Sequence, residues 1–186
     1  MSGNLKKEDL RIVKTQRALI NAIRTLLSRR NVNKITVNDL CEEALVSRAA
    51  FYSHFNDKYD LLDFWMDGIF QQITGISSYH QLEAIINQFI SEHSKIIKNL
   101  LEDENDMVRE SVKKNIFSLV AHFTGVTENE QKNFDYVILS EFCVGGIFNL
   151  LMWQVKNNFP ENFQLMNPHL YELVKSIMER DIKKRR

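Results

Sequence analysis

Apolar side chains recur along most of the chain at spacings of three and four residues, the period of an amphipathic α-helix. Both prolines lie beyond residue 159, and only six glycines occur, so few positions interrupt this pattern. No segment alternates between apolar and polar positions as a β-strand would. The pattern predicts an all-α protein of about nine helices. The stripes that define the first, middle and last helices include Ile12, Leu19, Ile23 and Leu26; Leu82, Ile85, Phe89 and Ile96; Val108, Val112, Ile116 and Val120; and Leu170, Leu173 and Ile177.

Two short helices near the N-terminus are marked by residues that stabilise helix ends. Thr36 and Asp39 have the spacing of a capping box and predict a helix from Val37 to about Ala44. Ser47 is an N-cap candidate for a helix over Arg48–Phe55. Two short helices joined by such a tight turn form a helix-turn-helix. With a first helix before them, they predict a three-helix module.

Charge divides the chain near residue 58, although its net charge is zero. Residues 1–58 carry eleven Lys and Arg against six Asp and Glu, whereas residues 59–186 carry thirteen against eighteen. The two parts therefore have net charges of +5 and −5. This asymmetry predicts a basic DNA-facing domain at 1–58 and an acidic helical body at 59–186.

A nearly apolar segment of about twenty residues, from Tyr136 to Val155, has the length of a membrane span. Glu141, Asn149 and Gln154 interrupt it, and no basic or aromatic flanks frame it. We interpret it as a helix buried in the protein interior or in an interface rather than as a membrane helix.

The cysteines and the N-terminus are consistent with a cytoplasmic protein. Cys41 and Cys143 are far apart and have no CxxC spacing, so we expect two reduced, buried thiols; a redox-sensing thiol is the alternative. The charged N-terminus lacks the apolar core of a signal peptide.

The segment from Ile35 to Leu62 resembles the DNA-binding region of the tetracycline-repressor (TetR/AcrR) family. Its most specific part is Val46-Ser-Arg-Ala-Ala-Phe-Tyr-Ser-His-Phe55, followed by Lys58. Two positions depart from the family pattern, because Leu45 stands where glycine is usual and Ala50 where threonine is common. The first departure predicts a strained turn, and the second removes a hydroxyl that could contact a phosphate.

The second short helix has the features of a recognition helix, whose N-terminal residues face base edges in the major groove. An arginine at its start could pair with guanine. The resemblance implies phosphate contacts from the tyrosine and histidine of the motif, and a helix N-terminus and a lysine nearby could also hold phosphates. The predicted DNA-contacting residues are Thr36, Ser47, Arg48, Ala49, Tyr52, His54 and Lys58.

The resemblance also implies that the body holds a small-molecule effector and forms a homodimer through its last two helices. The segment 145–160 resembles a C-terminal subtype that includes the dihydroxyacetone-kinase operon activator. The predicted pocket residues are Trp65, Phe89, His93, Ile116, Val120 and Phe123. The predicted dimer residues are Phe142, Gly145, Gly146, Asn149, Trp153, Leu173 and Ile177.

These features favour a ligand-responsive repressor that acts as a homodimer on duplex DNA, with an effector that the sequence does not identify. The alternative is a co-regulator that binds another protein and has lost DNA affinity. An enzyme is disfavoured, since no nucleophile–base set or phosphate loop occurs, and we expect no cofactor and no membrane partner. We also expect no metal site, because no histidines have ligand spacing; those considered are His80, His93, His122 and His169.

Overall fold

The computed structural model describes residues 2–74, 76, 79–102, 105–124, 134–160, 169–170, 172–173 and 176. Within this part of the chain the fold is all-α, as predicted, and contains no strand. A short 3-10 turn at Val32–Lys34 follows the first helix. The helices are α1 (Ser2–Leu27), α2 (Val37–Ala44), α3 (Arg48–Tyr52), α4 (Lys58–Thr74), α5 (Tyr79–Leu101), α6 (Asp106–Thr124) and α7 (Phe134–Lys156).

The predicted count of about nine helices is not matched, because the described residues form seven. Two of them, α1 and α5, continue for 26 and 23 residues, since no proline breaks their apolar stripes. The helix predicted after Pro168 lies mostly outside the described residues. Ile12, predicted to face the core, is 37% exposed. Among the described side chains of α1, the first buried one is that of Leu19.

One compact unit comprises residues 1–66 together with residues 95–108. Side-chain amides attach residues 95–108 to the rest of this unit. Asn99 Nδ2 donates to the Leu27 carbonyl at 2.8 Å. Asn105 Nδ2 donates to Tyr59 Oη at 3.0 Å, while Asn105 Oδ1 caps α6. The functional boundary at residue 58 stays a prediction. The fully buried side chains of this unit are Leu19, Ile23, Leu27, Val32, Ile35, Leu40, Phe51, Leu61 and Leu62.

A second unit comprises residues 67–94 and 109–186. Within it α6 packs on α7, where the rings of Phe117 and Tyr136 meet edge to face with centroids 6.2 Å apart. Lys113 Nζ lies 5.4 Å from the centre of the Phe148 ring, a cation–π contact between the same helices. The interior of this unit also holds polar side chains, which are Ser111, Asn115, Ser140 and Gln154.

Candidate nucleic-acid interface

The start of α2 is held by the capping box that the sequence predicts. Thr36 Oγ1 accepts from the Asp39 backbone N–H at 3.2 Å, and Asp39 Oδ2 accepts from the Thr36 N–H at 2.8 Å. Arg30 Nη2 lies 2.9 Å from Asp39 Oδ1. The Thr36 N–H is thus used inside the protein, and the role of Thr36 at a DNA phosphate stays a prediction. Hydrogen bonds from Thr36, with help from Arg30, lower the pKa of Asp39 to about 2.

Replacing Asp39 with Ala should lower the free energy of unfolding by about 1–2 kcal/mol at neutral pH, the usual effect of losing a helix cap. Because the folded pKa of about 2 lies below the ordinary 3.8, the carboxylate stabilises the fold above pH 3.8. That stabilisation is lost as the pH falls from 3.8 toward 2. In urea titrations, the difference in free energy of unfolding between the wild type and Asp39→Ala should therefore shrink as the pH falls through this range. A gap of constant size would contradict the assignment, and Asp39→Asn, which keeps an oxygen acceptor, is the matched control.

The turn between α2 and α3 contains the strained position that the sequence predicts. Leu45 adopts the left-handed conformation, with φ 54° and ψ 41°, and its side chain is 92% exposed. The Val46 N–H donates to the Cys41 carbonyl at 3.0 Å, a six-residue closure typical of helix ends with a left-handed residue. This closure ends α2 and leaves two residues, Leu45 and Val46, before the Ser47 cap of α3.

Replacing Leu45 with Gly should stabilise the protein by about 1 kcal/mol, because the left-handed conformation costs a side-chain-bearing residue roughly that much. The melting temperature should rise by about 2–4 °C for a chain of this size. Leu45→Ala is the control, since it removes the exposed side chain but keeps the Cβ atom. An equal gain from Ala and Gly would show that exposure of the leucine, not backbone strain, is the cause.

Helix α3 is capped by Ser47, whose Oγ accepts from the Ala50 N–H at 3.1 Å. Its inner face carries Phe51, which is fully buried, and this burial fixes which face points outward. The outward face presents Arg48 and Ala49, with Tyr52 one turn later and 50% exposed. The predicted base-reading residues therefore lie together on one exposed helix face.

A polar network that sequence reasoning missed holds Arg48 on this face. Arg48 Nη1 donates to Asn38 Oδ1 at 3.2 Å, and Asn38 Nδ2 donates to Glu42 Oε1 at 3.0 Å. The guanidinium carbon also lies 5.7 Å from the centre of the Tyr52 ring. The spacing of Asn38 and Glu42 on α2 could have suggested their pairing. Their link to Arg48 depends on how α3 crosses α2.

The last two predicted DNA contacts lie beyond α3. His54 follows the end of the helix, is half-buried, and has its ring centre 6.4 Å from that of Phe55. Lys58 Nζ donates to the carbonyls of Val32 at 2.9 Å and Ile35 at 2.8 Å. These bonds use two of the three donors of the ammonium group and tie α4 to the 3-10 turn. Phosphate contacts by His54 and Lys58 stay predictions.

The predicted effector-pocket residues fall into both compact units. Trp65 is buried in the first unit, and Ile116 and Val120 are buried in the second. His93 has non-helical angles of φ −118° and ψ 16°, which kink α5, and its ring meets that of Phe89 edge to face at 4.6 Å. The side chain of the sixth residue, Phe123, lies outside the described set. A shared pocket stays a prediction.

Helix α7 has an exposed apolar face that carries several of the predicted dimer residues, whose role in a dimer stays a prediction. Ile138 is 50% exposed, Phe142 71% and Trp153 46%, and Asn149 and Gly146 are exposed on the same side. A Cβ atom added at Gly145 or Gly146 would meet nothing within 4 Å in the part of the chain that the structure describes. Among the described residues, α7 is also the one helix with the length and composition of a membrane span. Of the two further predicted dimer residues, Leu173 is 55% exposed and Ile177 lies outside the described residues.

The described residues show little that suggests metal or thiol chemistry. Within them, no group of three His, Cys, Asp or Glu side chains could hold a metal ion. Cys41 and Cys143 are buried and unpaired, as expected. Burial raises the pKa of both thiols, which keeps them protonated at neutral pH and disfavours a redox-sensing role.

Comparison with known proteins agrees with the resemblance seen in the sequence. Residues 19–63 match the family model described as bacterial regulatory proteins, tetR family. The fold is similar to that of the dihydroxyacetone kinase operon activator DhaS, with a TM-score of 0.60 and 14% identity over 91% of this chain and 96% of that one. It is also similar to a TetR transcriptional regulator from Streptococcus agalactiae, with a TM-score of 0.59 and 19% identity over 94% and 98%. No curated protein matches in sequence.

Proposed function

Because this chain carries a TetR-type DNA-binding segment and has the fold of TetR-family transcriptional regulators, we propose that it is a cytoplasmic, ligand-responsive repressor. It binds duplex DNA as a homodimer on a pseudo-palindromic operator. The observation that carries the proposal is the exposed face of α3. Arg48 and Tyr52 lie on this face, and Phe51 on the opposite face is buried.

On this proposal, α3 enters the major groove and Arg48 reads a guanine, while Tyr52 contacts the phosphate backbone. Ser47 and Ala49 face neighbouring base edges. In a symmetric dimer the two recognition helices meet half-sites separated by about 34–36 Å or a multiple of it. The charge asymmetry supports this orientation, since the basic residues are concentrated in 1–58.

The homodimer is supported by the exposed face of α7. A continuous exposed apolar surface on a soluble protein usually marks an interaction site. Ile138, Phe142 and Trp153 share one side of the helix, with a small residue, Gly146, between them. A second copy of the same helix would cover this face and could approach closely at the glycine.

The effector part of the proposal is supported by polar groups buried in the second unit. Ser111 is 6% exposed, and its Oγ has no hydrogen-bond partner within the described residues. Asn115, one turn further along α6, is 3% exposed. Buried polar groups among apolar side chains are typical of small-molecule sites. A ligand that binds one conformation of the body more tightly would shift the dimer away from its DNA-binding form.

The proposed function is tested by fluorescence anisotropy with duplexes that tile the DNA flanking the protein's own gene. We expect one duplex to bind with sub-micromolar affinity that falls as salt rises, as phosphate contacts require. The double variant Arg48→Ala, Tyr52→Ala should bind this duplex at least about 100-fold more weakly, given the usual size of base contacts. Lys58 is left intact because it also holds the 3-10 turn.

A different result would favour the co-regulator alternative. In that case the wild type would bind every duplex only as weakly as it binds random DNA, with the same affinity as the double variant. That result would refute specific binding to the DNA that flanks the gene. Ala50, which lacks a hydroxyl, and Leu45, 92% exposed at the turn, are the features that suit a protein partner. Retention of a partner protein without DNA would then identify that function. Transcript levels after deletion of the gene distinguish a repressor from an activator.

A further inference from the structure

The side chain at the start of the recognition helix is held in place before any DNA arrives. Arg48 Nη1 donates to Asn38 Oδ1 at 3.2 Å, across the turn between α2 and α3. Arg48 Nη2 lies 3.5 Å from Tyr52 Oη, and its guanidinium carbon lies 5.7 Å from the centre of the same ring. The guanidinium is therefore located between an amide on α2 and an aromatic ring on α3.

The orientation of the Asn38 amide is set from its other end. Asn38 Nδ2 donates to Glu42 Oε1 at 3.0 Å, one turn further along α2. An amide has donors on its nitrogen and acceptors only on its oxygen. While Glu42 accepts from the nitrogen, the oxygen faces Arg48. The reverse orientation would place two donors, the amide and the guanidinium, against each other.

We propose that Asn38 is a positioning residue that holds Arg48 for reading one guanine in each half-site, and that Glu42 acts through Asn38. The inference rests on the proposed DNA-binding function and adds a determinant of sequence specificity on α2. Five N–H donors belong to a guanidinium, and the contacts to Asn38 and Tyr52 use two of them. Three remain, and a guanine edge needs two.

Holding the arginine matters because a free arginine side chain loses conformational freedom when it docks on a base. A side chain that is already ordered loses less on binding, and this gain applies only where the base contact forms. Asn38 should therefore affect discrimination at the base pair that Arg48 reads. Affinity for DNA in general, which depends on phosphate contacts, should change little.

The test starts with the duplex that the wild-type protein selects from a randomised pool, and with copies that each carry one changed base pair. Arg48→Ala should lose about 10- to 100-fold discrimination at one G·C pair per half-site. Asn38→Ala should lose about 3- to 10-fold at the same pair and leave the others unchanged. The Asn38→Ala, Arg48→Ala double variant should lose no more than Arg48→Ala alone, as expected for residues that act as one unit.

Two variants of Glu42 separate its hydrogen bond from its charge. Glu42→Gln keeps an oxygen that accepts from Asn38 and should retain wild-type discrimination, although removal of a negative charge strengthens binding to all duplexes. Glu42→Ala should lose discrimination at the same base pair as Asn38→Ala. Thermal melts of each variant should stay close to wild type, since all these contacts are exposed.

Three outcomes would overturn the inference while leaving the proposed function intact. These are additive losses from Asn38→Ala and Arg48→Ala, an equal loss on every duplex, and a loss at a different base pair. The last would mean that Asn38 reads a base directly. Failure of the wild type to select any duplex would instead refute the DNA-binding function, and the positioning role with it.

Discussion

Replacing Phe142 with Asp should convert the proposed homodimer to a monomer and reduce affinity for the proposed operator by at least about 100-fold. Phe142 is 71% exposed at the centre of the apolar face of α7, so the folded chain gains little from it. Burial of one phenylalanine in an interface contributes about 2 kcal/mol, and a twofold axis counts it twice. Each 1.4 kcal/mol is tenfold in the dimer dissociation constant. The variant loses this apolar burial and places one carboxylate from each subunit in the interface. Both changes should separate the subunits.

Light scattering after gel filtration gives the mass of the particle, and anisotropy gives the operator affinity. Met107→Asp is the matched control, because Met107 is 56% exposed and belongs to the compact unit that does not contain α7. It should leave both the mass and the affinity at wild-type values. A dimer that survived Phe142→Asp would show that the subunits meet elsewhere.

A second variant on the same face guards against an effect on folding. Among the described residues, none lies within 4 Å of a Cβ atom placed at Gly146, and alanine favours helix over glycine by about 1 kcal/mol. Gly146→Leu should therefore fold as well as wild type. In a closely packed dimer the leucine side chain would clash with the partner helix, so weaker dimerisation with an unchanged helical content would support the proposed interface.

Phe51→Ala should lower the free energy of unfolding by about 3–5 kcal/mol, the range observed when a buried phenylalanine is truncated. Phe51 is fully buried, and its ring centre lies 5.9 Å from that of Phe55 and 5.4 Å from that of Tyr52. A domain of ordinary stability has about 5–15 kcal/mol in total. The variant should therefore lose a large share of its stability, and its operator binding should fall in step with the folded fraction.

Tyr52→Ala, one residue further on, should have a small effect on stability and a large effect on operator affinity. Tyr52 is 50% exposed, so its removal should cost only about 1 kcal/mol, mainly the edge-to-face contact with Phe51. Its effect on operator affinity should nevertheless be large, measured at a temperature where both variants are folded. Urea titration and anisotropy on the pair separate folding from recognition. Equal stability losses for the two variants would contradict the assignment of an inner and an outer face to α3.

Local signals in the sequence were enough to predict the DNA-binding module. The capping box of Thr36 and Asp39 and the N-cap at Ser47 involve residues three positions apart, so their pairing does not depend on the rest of the fold. The strained turn at Leu45 was also predictable from the sequence, because a leucine occupies a position where glycine is usual in the resembled family. Helix ends were less predictable: α3 ends at Tyr52 rather than Phe55.

Contacts over longer distances along the chain were not predictable. The sequence did not indicate that the ammonium group of Lys58 donates to the carbonyls of Val32 and Ile35, more than twenty residues earlier. Its phosphate contact stays a prediction. Asn38 showed no sign of a role, because its partner Arg48 lies on the next helix. Nothing in the sequence indicated that residues 95–108 join the N-terminal unit.

By itself, the sequence determined the helical class and the helix-turn-helix, because periodicity and end caps depend on neighbours within about one helical turn. Helix α7 is apolar on nearly all sides, so the tertiary structure decided which of its faces is exposed. Only the tertiary structure decided what each exposed polar side chain touches. In the folded chain, Lys58 donates to two backbone carbonyls, Asp39 pairs with an arginine, and Arg48 donates to a side-chain amide. These partners come from other parts of the chain, and a long, flexible side chain can reach several of them. Which one it meets depends on how the packed helices cross, and the burial of residues such as Phe51 sets that crossing.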